Sequence, residues 1–125
     1  MGEVAEEFYL LLHPRPAYIL GSGKYGESIN FMALSWATPA AEEPPRVAIA
    51  VDRESYTHEL IERYGEFTLN VYPVDKLDVL YTLGTVSGRK LDKARALGLP
   101  VGKGTRVSAP ILADALGILE CVVSS

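Results

Sequence analysis

The sequence is poor in residues that form disulfides or bind metals. Its 125 residues include one cysteine, Cys121, and two histidines, His13 and His58. A single cysteine excludes an intramolecular disulfide. The two histidines and the cysteine lie far apart in the sequence, so no motif with the usual spacing of metal ligands is present. We therefore expect neither a disulfide-stabilised fold nor a metal site.

Long apolar segments and basic runs are also missing. No apolar stretch is long enough for a transmembrane helix, and no signal peptide is recognisable. The net charge is −4, and no run of Lys and Arg is interleaved with aromatic residues. A nucleic-acid-binding surface normally needs such a run. These absences predict a cytoplasmic protein that binds neither a membrane nor nucleic acid.

The sequence does contain enough apolar residues for the core of one domain. Hydrophobic residues make up 48% of the chain. A chain of this length buries roughly two thirds of its unfolded surface when it folds. We therefore expect a single domain over residues 1–125.

Short apolar runs separated by glycine and proline predict strands. The glycines of 21–26 predict a hairpin turn, and the prolines of 38–45 predict a loop, because proline cannot donate to a ladder. Residues 67–73 alternate between apolar and polar side chains, as a half-buried strand does. The predicted strands are 16–20, 28–37, 46–51, 67–73 and 117–123.

Helices are predicted to be few and short. Thr57 to Tyr64 has apolar residues on one side, and Gly65 is a typical C-terminal stop. Further short helices are predicted at 74–84 and 89–98. The fold class is therefore mainly β (α+β), an antiparallel split β-barrel with a few short inserted helices. A doubly wound fold is less favoured, because strands and helices do not alternate throughout.

The junction between strand 46–51 and the helix contains Arg53, Ser55 and Thr57. A helix N-terminus offers unpaired N–H groups and the positive end of the helix dipole, so phosphate binds there readily. Arg53 would add a forked cation, and the two hydroxyls would add donors. These residues alone leave two interpretations open. The junction is either an anion site or an ordinary turn in which Thr57 caps the helix and Arg53 is solvated.

Three longer stretches resemble the flavin reductase-like family, the FMN-binding split barrels. INFMALSWATPAAEEPPRVAIAV has the family's order of an Asn-containing strand, a Ser-Trp pair, a loop, Pro-Pro and a buried strand. RESYTHELIERYGEFTLNV is similar to the family's phosphate-binding turn, helix and following strand. SGRKLDK, at 87–93, is similar to the family's Ser-Gly-Arg-Asp-x-Asp-Lys stretch. The resemblance covers roughly residues 12–123.

The resemblance implies that FMN is the cofactor. It implies that one group of residues lies along the isoalloxazine ring and the ribityl chain: Asn30, Ser35, Trp36, Ala37 and Thr38.

The resemblance also implies the phosphate end of the site and the assembly. Arg53, Ser55 and Thr57 would hold the 5′-phosphate, which favours the anion interpretation of the junction. Arg89 and Lys93 would reach the polar end of the flavin or a nicotinamide substrate. The family assembles as homodimers, with the flavin near the interface.

The sequence departs from the family in two places. Family members usually continue, after a strand such as LGILECVV, with a Gly-Asp-His or similar motif and a further strand that closes the barrel. The sequence given ends at Ser125. Lys90 stands where an acidic residue usually follows the arginine. We therefore expect the split-barrel domain without its usual C-terminal segment.

Two classes of function remain open. The first is an FMN-dependent NAD(P)H oxidoreductase, which passes hydride through bound FMN to free flavin or to another acceptor such as ferric iron. No catalytic acid, base or nucleophile stands out, as expected where the cofactor carries the chemistry. The second is a split-barrel protein that binds FMN without turnover. A barrel of the pyridoxamine-phosphate-oxidase type is a further alternative.

Overall fold

The computed structural model describes residues 18–72 and 97–124. The helix predicted at 74–84 and most of the one predicted at 89–98 lie outside these residues, as do Arg89 and Lys93. The described residues form eight strands and a helix. In chain order these are β1 (Tyr18–Gly23), β2 (Ile29–Leu34), β3 (Ala37–Ala41), β4 (Arg46–Ile49), α1 (Tyr56–Tyr64), β5 (Glu66–Val71), β6 (Val101–Lys103), β7 (Pro110–Leu112) and β8 (Gly117–Val122).

Four of the strands form an antiparallel sheet in the order β2-β1-β5-β8. In the centre of this sheet, Ile19 of β1 lies opposite Ala33 of β2 and Asn70 of β5. β3 pairs with β4, and β6 pairs with β7, as two separate antiparallel hairpins. The prediction of a mainly β, antiparallel fold is therefore confirmed. Within residues 18–72 and 97–124 the strands form three sheets rather than one closed barrel.

The four-stranded sheet has buried side chains on both of its faces. One face packs against β7, and the side chains that form this core are Ile19, Phe31, Tyr72 and Leu112. The opposite face packs against the β3–β4 hairpin and α1. The buried side chains there are Leu20, Leu34, Phe67 and Leu69. Successive residues of a strand point to opposite faces, which is why neighbours such as Ile19 and Leu20 belong to different clusters.

The polar residues of β5 are buried rather than solvated, because β7 and β1 supply their partners. The Thr68 hydroxyl donates to the Pro110 carbonyl oxygen at 2.7 Å. The Asn70 amide nitrogen donates to the Ile19 carbonyl oxygen at 2.9 Å, and Asn70 Oδ1 accepts from the Leu112 N–H at 3.0 Å. Satisfied polar groups are compatible with a core. These bonds attach β7 to the sheet.

The predicted turn, strand and loop between residues 21 and 45 need three corrections. β1 continues to Gly23, and the turn closes where the Lys24 N–H donates to the Ser28 carbonyl oxygen. The predicted strand 28–37 is broken after Leu34. The predicted loop 38–45 begins as a strand, with Pro39 paired to Val47. Proline is tolerated there because β3 is one edge of a two-stranded sheet and its pairing is irregular just after Pro39.

The loop between β6 and β7 is held to β8 by the carboxylate of Glu120. Glu120 Oε2 accepts from the Thr105 hydroxyl at 2.6 Å. Glu120 Oε1 accepts from the N–H groups of Arg106 and Val107 at 2.8 and 3.1 Å. The hydrogen bond from Thr105, which has the largest effect, and those from the backbone lower the pKa of Glu120 below its usual value. The charged form is therefore the one that the fold stabilises.

Acid should weaken the attachment of this loop. A carboxyl whose folded-state pKa is lowered contributes its full stability above the unfolded pKa and loses it as the pH falls through the folded pKa. We expect Glu120→Gln to lower the free energy of unfolding by about 1 kcal/mol at pH 7, a modest figure because solvent screens a partly exposed carboxylate.

The Glu120 effect is checked by urea denaturation of wild type and Glu120→Gln at several pH values. The difference between the two proteins should shrink below the ordinary glutamate range, about pH 4.3. Glu42→Gln, at an exposed position in the β3–β4 turn, is the control for loss of one carboxylate. A difference that stays constant down to the acid limit would contradict the role of the charge.

Candidate functional site

Most of the predicted site residues that the structure describes lie where the start of β3, the end of β4 and the start of α1 come together. The Ala50 N–H donates to the Trp36 carbonyl oxygen at 3.0 Å, which extends the pairing of β3 with β4 by one residue. Asn30, on β2, donates to the Thr57 hydroxyl at 2.9 Å. These two bonds bring the segment 35–38 and the residues just before α1 to one region of the surface.

The turn before α1 is stabilised within itself. The carbonyl oxygen of Asp52 accepts from the Ser55 N–H at 3.1 Å and from the Ser55 hydroxyl at 2.7 Å. The Asp52 carboxylate accepts from the Glu54 N–H at 2.9 Å. An Asp side chain that bonds the backbone two residues later is a standard way to form a turn. The turn therefore presents Arg53 between two acidic residues.

The helix cap is Ser55, so the interpretation in which Thr57 caps α1 is wrong. Ser55 has extended backbone angles, and its hydroxyl accepts from the His58 N–H at 3.1 Å, as an N-cap does. Thr57 is the second residue of the helix and is buried. The predicted stop at Gly65 is confirmed, because Gly65 has φ 69° and its N–H donates to the Ile61 carbonyl oxygen.

Exposure divides the predicted site residues into two groups. Trp36 is 44% exposed, which is unusual for an aromatic side chain of this size, and Thr38 and Arg53 are also exposed. Ser35, Ala37 and Ser55 are half-buried. The two residues that are almost inaccessible are Asn30 and Thr57, at 6% and 1% exposure.

Reasoning from the sequence missed two features of this region. The first is the turn that Asp52 and Ser55 form around Arg53, for which the Asp-x-x-Ser spacing was an available signal. The contact between Asn30 and Thr57 spans 27 residues, and no local pattern could have indicated it.

A wide groove of about 1150 Å³ lies beside this region, between the β3–β4 hairpin, α1 and β8. None of the predicted site residues that the structure describes lines it. Its wall is largely apolar and includes Val47, Ile61 and Leu119, with His58 and Cys121 among the few polar groups. Burial raises the pKa of the Cys121 thiol, so that this thiol stays protonated at neutral pH.

No helix in the described part of the chain is long and apolar enough to cross a membrane. Within residues 18–72 and 97–124, no group of three or more His, Cys, Asp or Glu side chains is placed to hold a metal ion.

Comparisons with known proteins give the chain a family. Residues 10–125 match the model of the flavin reductase like domain. The chain is 36% identical over 113 residues to the uncharacterized protein YddH of Escherichia coli, an alignment that covers 90% of this chain and 60% of that protein. An uncharacterized protein of Pyrococcus abyssi is 32% identical over 117 residues, which cover 94% of this chain and 66% of that protein. The chain thus spans about 60 to 66% of the length of these relatives.

Solved flavoprotein structures have the same fold. A flavoredoxin from Methanosarcina acetivorans superimposes with a TM-score of 0.87 and 28% identity, over 100% of this chain and 64% of that one. An FMN-binding protein from Thermus thermophilus with bound 1-cyclohex-2-enone gives a TM-score of 0.86 and 26% identity, over 100% of this chain and 67% of that one. With the domain match over residues 10–125, these similarities establish that the chain belongs to the flavin reductase-like family.

Proposed function

We propose that the chain binds FMN where the start of β3 meets the start of α1, and that it acts in an FMN-dependent NAD(P)H oxidoreductase. The observation that carries this proposal is the hydrogen bond from the Ala50 N–H to the Trp36 carbonyl oxygen. Ala50 lies a few residues before the exposed Arg53 and the start of α1. The bond therefore places the segment with the exposed Trp36 beside the strand that leads into that turn. Family membership supports a flavin as the ligand, and the Thermus thermophilus neighbour is itself an FMN-binding protein.

The residues present fit such a cofactor. FMN has a flat aromatic ring at one end and a dianionic phosphate at the other. Segment 35–38 offers the Trp36 ring, small side chains and backbone polar groups, which suit a ring that needs close approach. Arg53 and the positive end of the α1 dipole suit the phosphate. The described residues thus offer an aromatic group and a cation, the two kinds of group that the two ends of the cofactor require.

Bound FMN would accept hydride from NAD(P)H and pass electrons to free flavin or another small acceptor. The chain's own contribution is binding and orientation. In this proposal Trp36, with Ser35, Ala37 and Thr38, lies along the ring and the ribityl chain, and Arg53 neutralises the phosphate. The proposal also assigns Arg89 and Lys93, which lie outside the described residues, to the polar end of the flavin or to the nicotinamide.

A second function is non-catalytic FMN binding. The two functions share the FMN site and differ only in whether NAD(P)H reduces the bound flavin.

The absorption spectrum tests both functions. We expect the purified protein, supplied with FMN and freed of excess, to be yellow and to bleach on anaerobic addition of NADH or NADPH. Titration of apo-protein with FMN should also quench Trp36 fluorescence, because the proposal places the flavin ring beside this side chain. The signal is specific, since Trp36 is the only tryptophan in the chain. A yellow protein that keeps its colour with both nucleotides favours the non-catalytic function. A protein that does not retain FMN excludes both.

We also propose a homodimer. β8 is an edge of the four-stranded sheet, and its Leu119 and Val122 are 52% and 69% exposed. Edge strands with exposed apolar side chains are usually covered, most often by a second copy across a two-fold axis. Light scattering at micromolar concentration should therefore give twice the mass of one chain. A uniform monomer would contradict the proposal.

A further inference from the structure

A buried hydrogen bond joins the sheet to the first turn of α1. Asn30 Nδ2, on β2, donates to Thr57 Oγ1 at 2.9 Å. Thr57 is the second residue of the helix, and both side chains are at least nine-tenths buried. Neither side chain is therefore placed to touch a ligand that arrives from solvent.

The Ser55 hydroxyl is also committed to the protein. Its single proton is donated to the Asp52 carbonyl oxygen at 2.7 Å, and the oxygen accepts from the His58 N–H. A hydroxyl has one proton to donate, so Ser55 has none left for a phosphate in this arrangement. The groups that remain for an anion are the Arg53 guanidinium and the Thr57 backbone N–H, since the His58 N–H already donates to Ser55.

The direction of the Thr57 N–H depends on how α1 lies on the sheet. One turn after Thr57, Leu60 is fully buried and anchors the helix by apolar contact. Apolar contact is not directional and tolerates small rotations of the helix. A hydrogen bond is restricted in both distance and angle. The bond between Asn30 and Thr57 is therefore a directional contact at the helix start, which restricts its rotation and position; the bond from the Tyr64 hydroxyl to Glu27 lies at the other end of α1.

We propose that Asn30 and Thr57 are positioning residues for phosphate recognition: their buried bond aims the first turn of α1 at the 5′-phosphate without either side chain touching the flavin. This inference rests on the proposed function, because it assumes that FMN binds with its phosphate at α1. If Asn30 contacted the ring instead, its substitution would weaken riboflavin as well as FMN. A positioning role predicts that only FMN is weakened, because riboflavin has the ring but no phosphate.

The experiment compares FMN with riboflavin by calorimetric titration of apo-protein. Thr57→Val keeps the shape of the side chain and removes the hydroxyl. Loss of one neutral hydrogen bond corresponds to roughly a three- to tenfold change in an equilibrium constant. We expect Thr57→Val and Asn30→Leu each to weaken FMN binding by about that factor and to leave riboflavin affinity unchanged. Thr57→Ser, which keeps the hydroxyl, should restore FMN affinity.

The matched control is Thr68→Val, the same substitution at a buried threonine on the opposite face of the sheet. Thr68 is fully buried, and its hydroxyl donates to the Pro110 carbonyl oxygen. A merely structural role for Thr57 predicts that both valine variants lose stability and that neither changes the ratio of FMN to riboflavin affinity. A positioning role predicts a changed ratio for Thr57→Val alone.

The outcomes separate this inference from the proposed function. If wild type prefers FMN and Thr57→Val has the same preference, the positioning role is overturned and the phosphate site stands. If Asn30→Leu weakens FMN and riboflavin equally, Asn30 contacts the ring and the positioning role is again overturned. If wild type itself binds the two ligands equally, the phosphate site is wrong and the positioning role falls with it. Should Asn30→Leu fail to fold, Thr57→Val and Thr57→Ser decide alone.

Discussion

Arg53→Ala should weaken FMN binding by roughly ten- to a hundredfold and leave riboflavin binding almost unchanged. Arg53 is exposed at the turn before α1, where a guanidinium can donate to a phosphate at the helix N-terminus. A hydrogen bond to a charged group contributes about 1.5 to 3 kcal/mol, and each 1.4 kcal/mol is about tenfold in affinity. Riboflavin lacks the phosphate, so it has no such contact to lose. Calorimetric titration of both ligands measures the effect.

Arg63→Ala is the matched control for the change in charge. Arg63 is an exposed arginine on the same helix, but it lies in the last turn and pairs with Glu59. Its removal should leave the affinity for FMN unchanged. Raising the salt concentration should weaken FMN binding to wild type more than to Arg53→Ala, because salt screens exposed charges. Equal losses of FMN and riboflavin affinity in Arg53→Ala would return the turn from Asp52 to Ser55 to a purely structural role.

Gly21→Ala should destabilise the protein by about 3 kcal/mol, toward the upper end of the cost of overfilling a core. A Cβ at Gly21 would lie 2.5 Å from the Pro110 carbonyl oxygen and 2.5 Å from Thr68 Oγ1. Pro110 belongs to β7, and its carbonyl oxygen is held by the Thr68 hydroxyl, so neither atom can move away freely. One added methyl group must therefore separate β7 from the sheet. Urea denaturation should show the loss as a lower midpoint.

Gly117→Ala makes the same chemical change where there is room for it. A Cβ at Gly117, in β8, would have no atom within 4 Å. We expect the free energy of unfolding to change by less than about 0.5 kcal/mol, as for other surface substitutions. Similar losses in both variants would mean that glycine matters in these strands for a reason other than the close approach of β7.

The strands that sequence could predict are those with local signals. The apolar runs at 46–51, 67–73 and 117–123 correspond to β4, β5 and β8, and Gly65 ends α1 as expected. Each of these signals depends on residues next to one another. Hydrophobic runs and a glycine in the left-handed region act within a few residues, so they are visible without the fold.

The parts that could not be predicted depend on distant partners. A proline such as Pro39, taken alone, argues against a strand because it has no N–H to donate to the ladder. Since β3 pairs with β4 alone, the loss of that donor costs little stability. Asn70 is a polar residue in a strand, and only the arrival of β7 makes its burial favourable. In the candidate site, the sequence indicated the exposed Arg53 and Trp36 through a family resemblance. It could not indicate that Asn30 reaches Thr57.

The central place of β1 in the sheet has a consequence for synthesis on the ribosome. β1 and β2 are neighbours in the chain, so their hairpin can form within microseconds. The second partner of β1 is β5, which ends at Val71. At about 5 to 20 residues per second, the stretch from Leu34 to Val71 takes roughly two to seven seconds to be made. During that interval the new hairpin exposes Ile19 and Leu20 on its two faces, and exposed apolar surface of this kind promotes aggregation of a nascent chain.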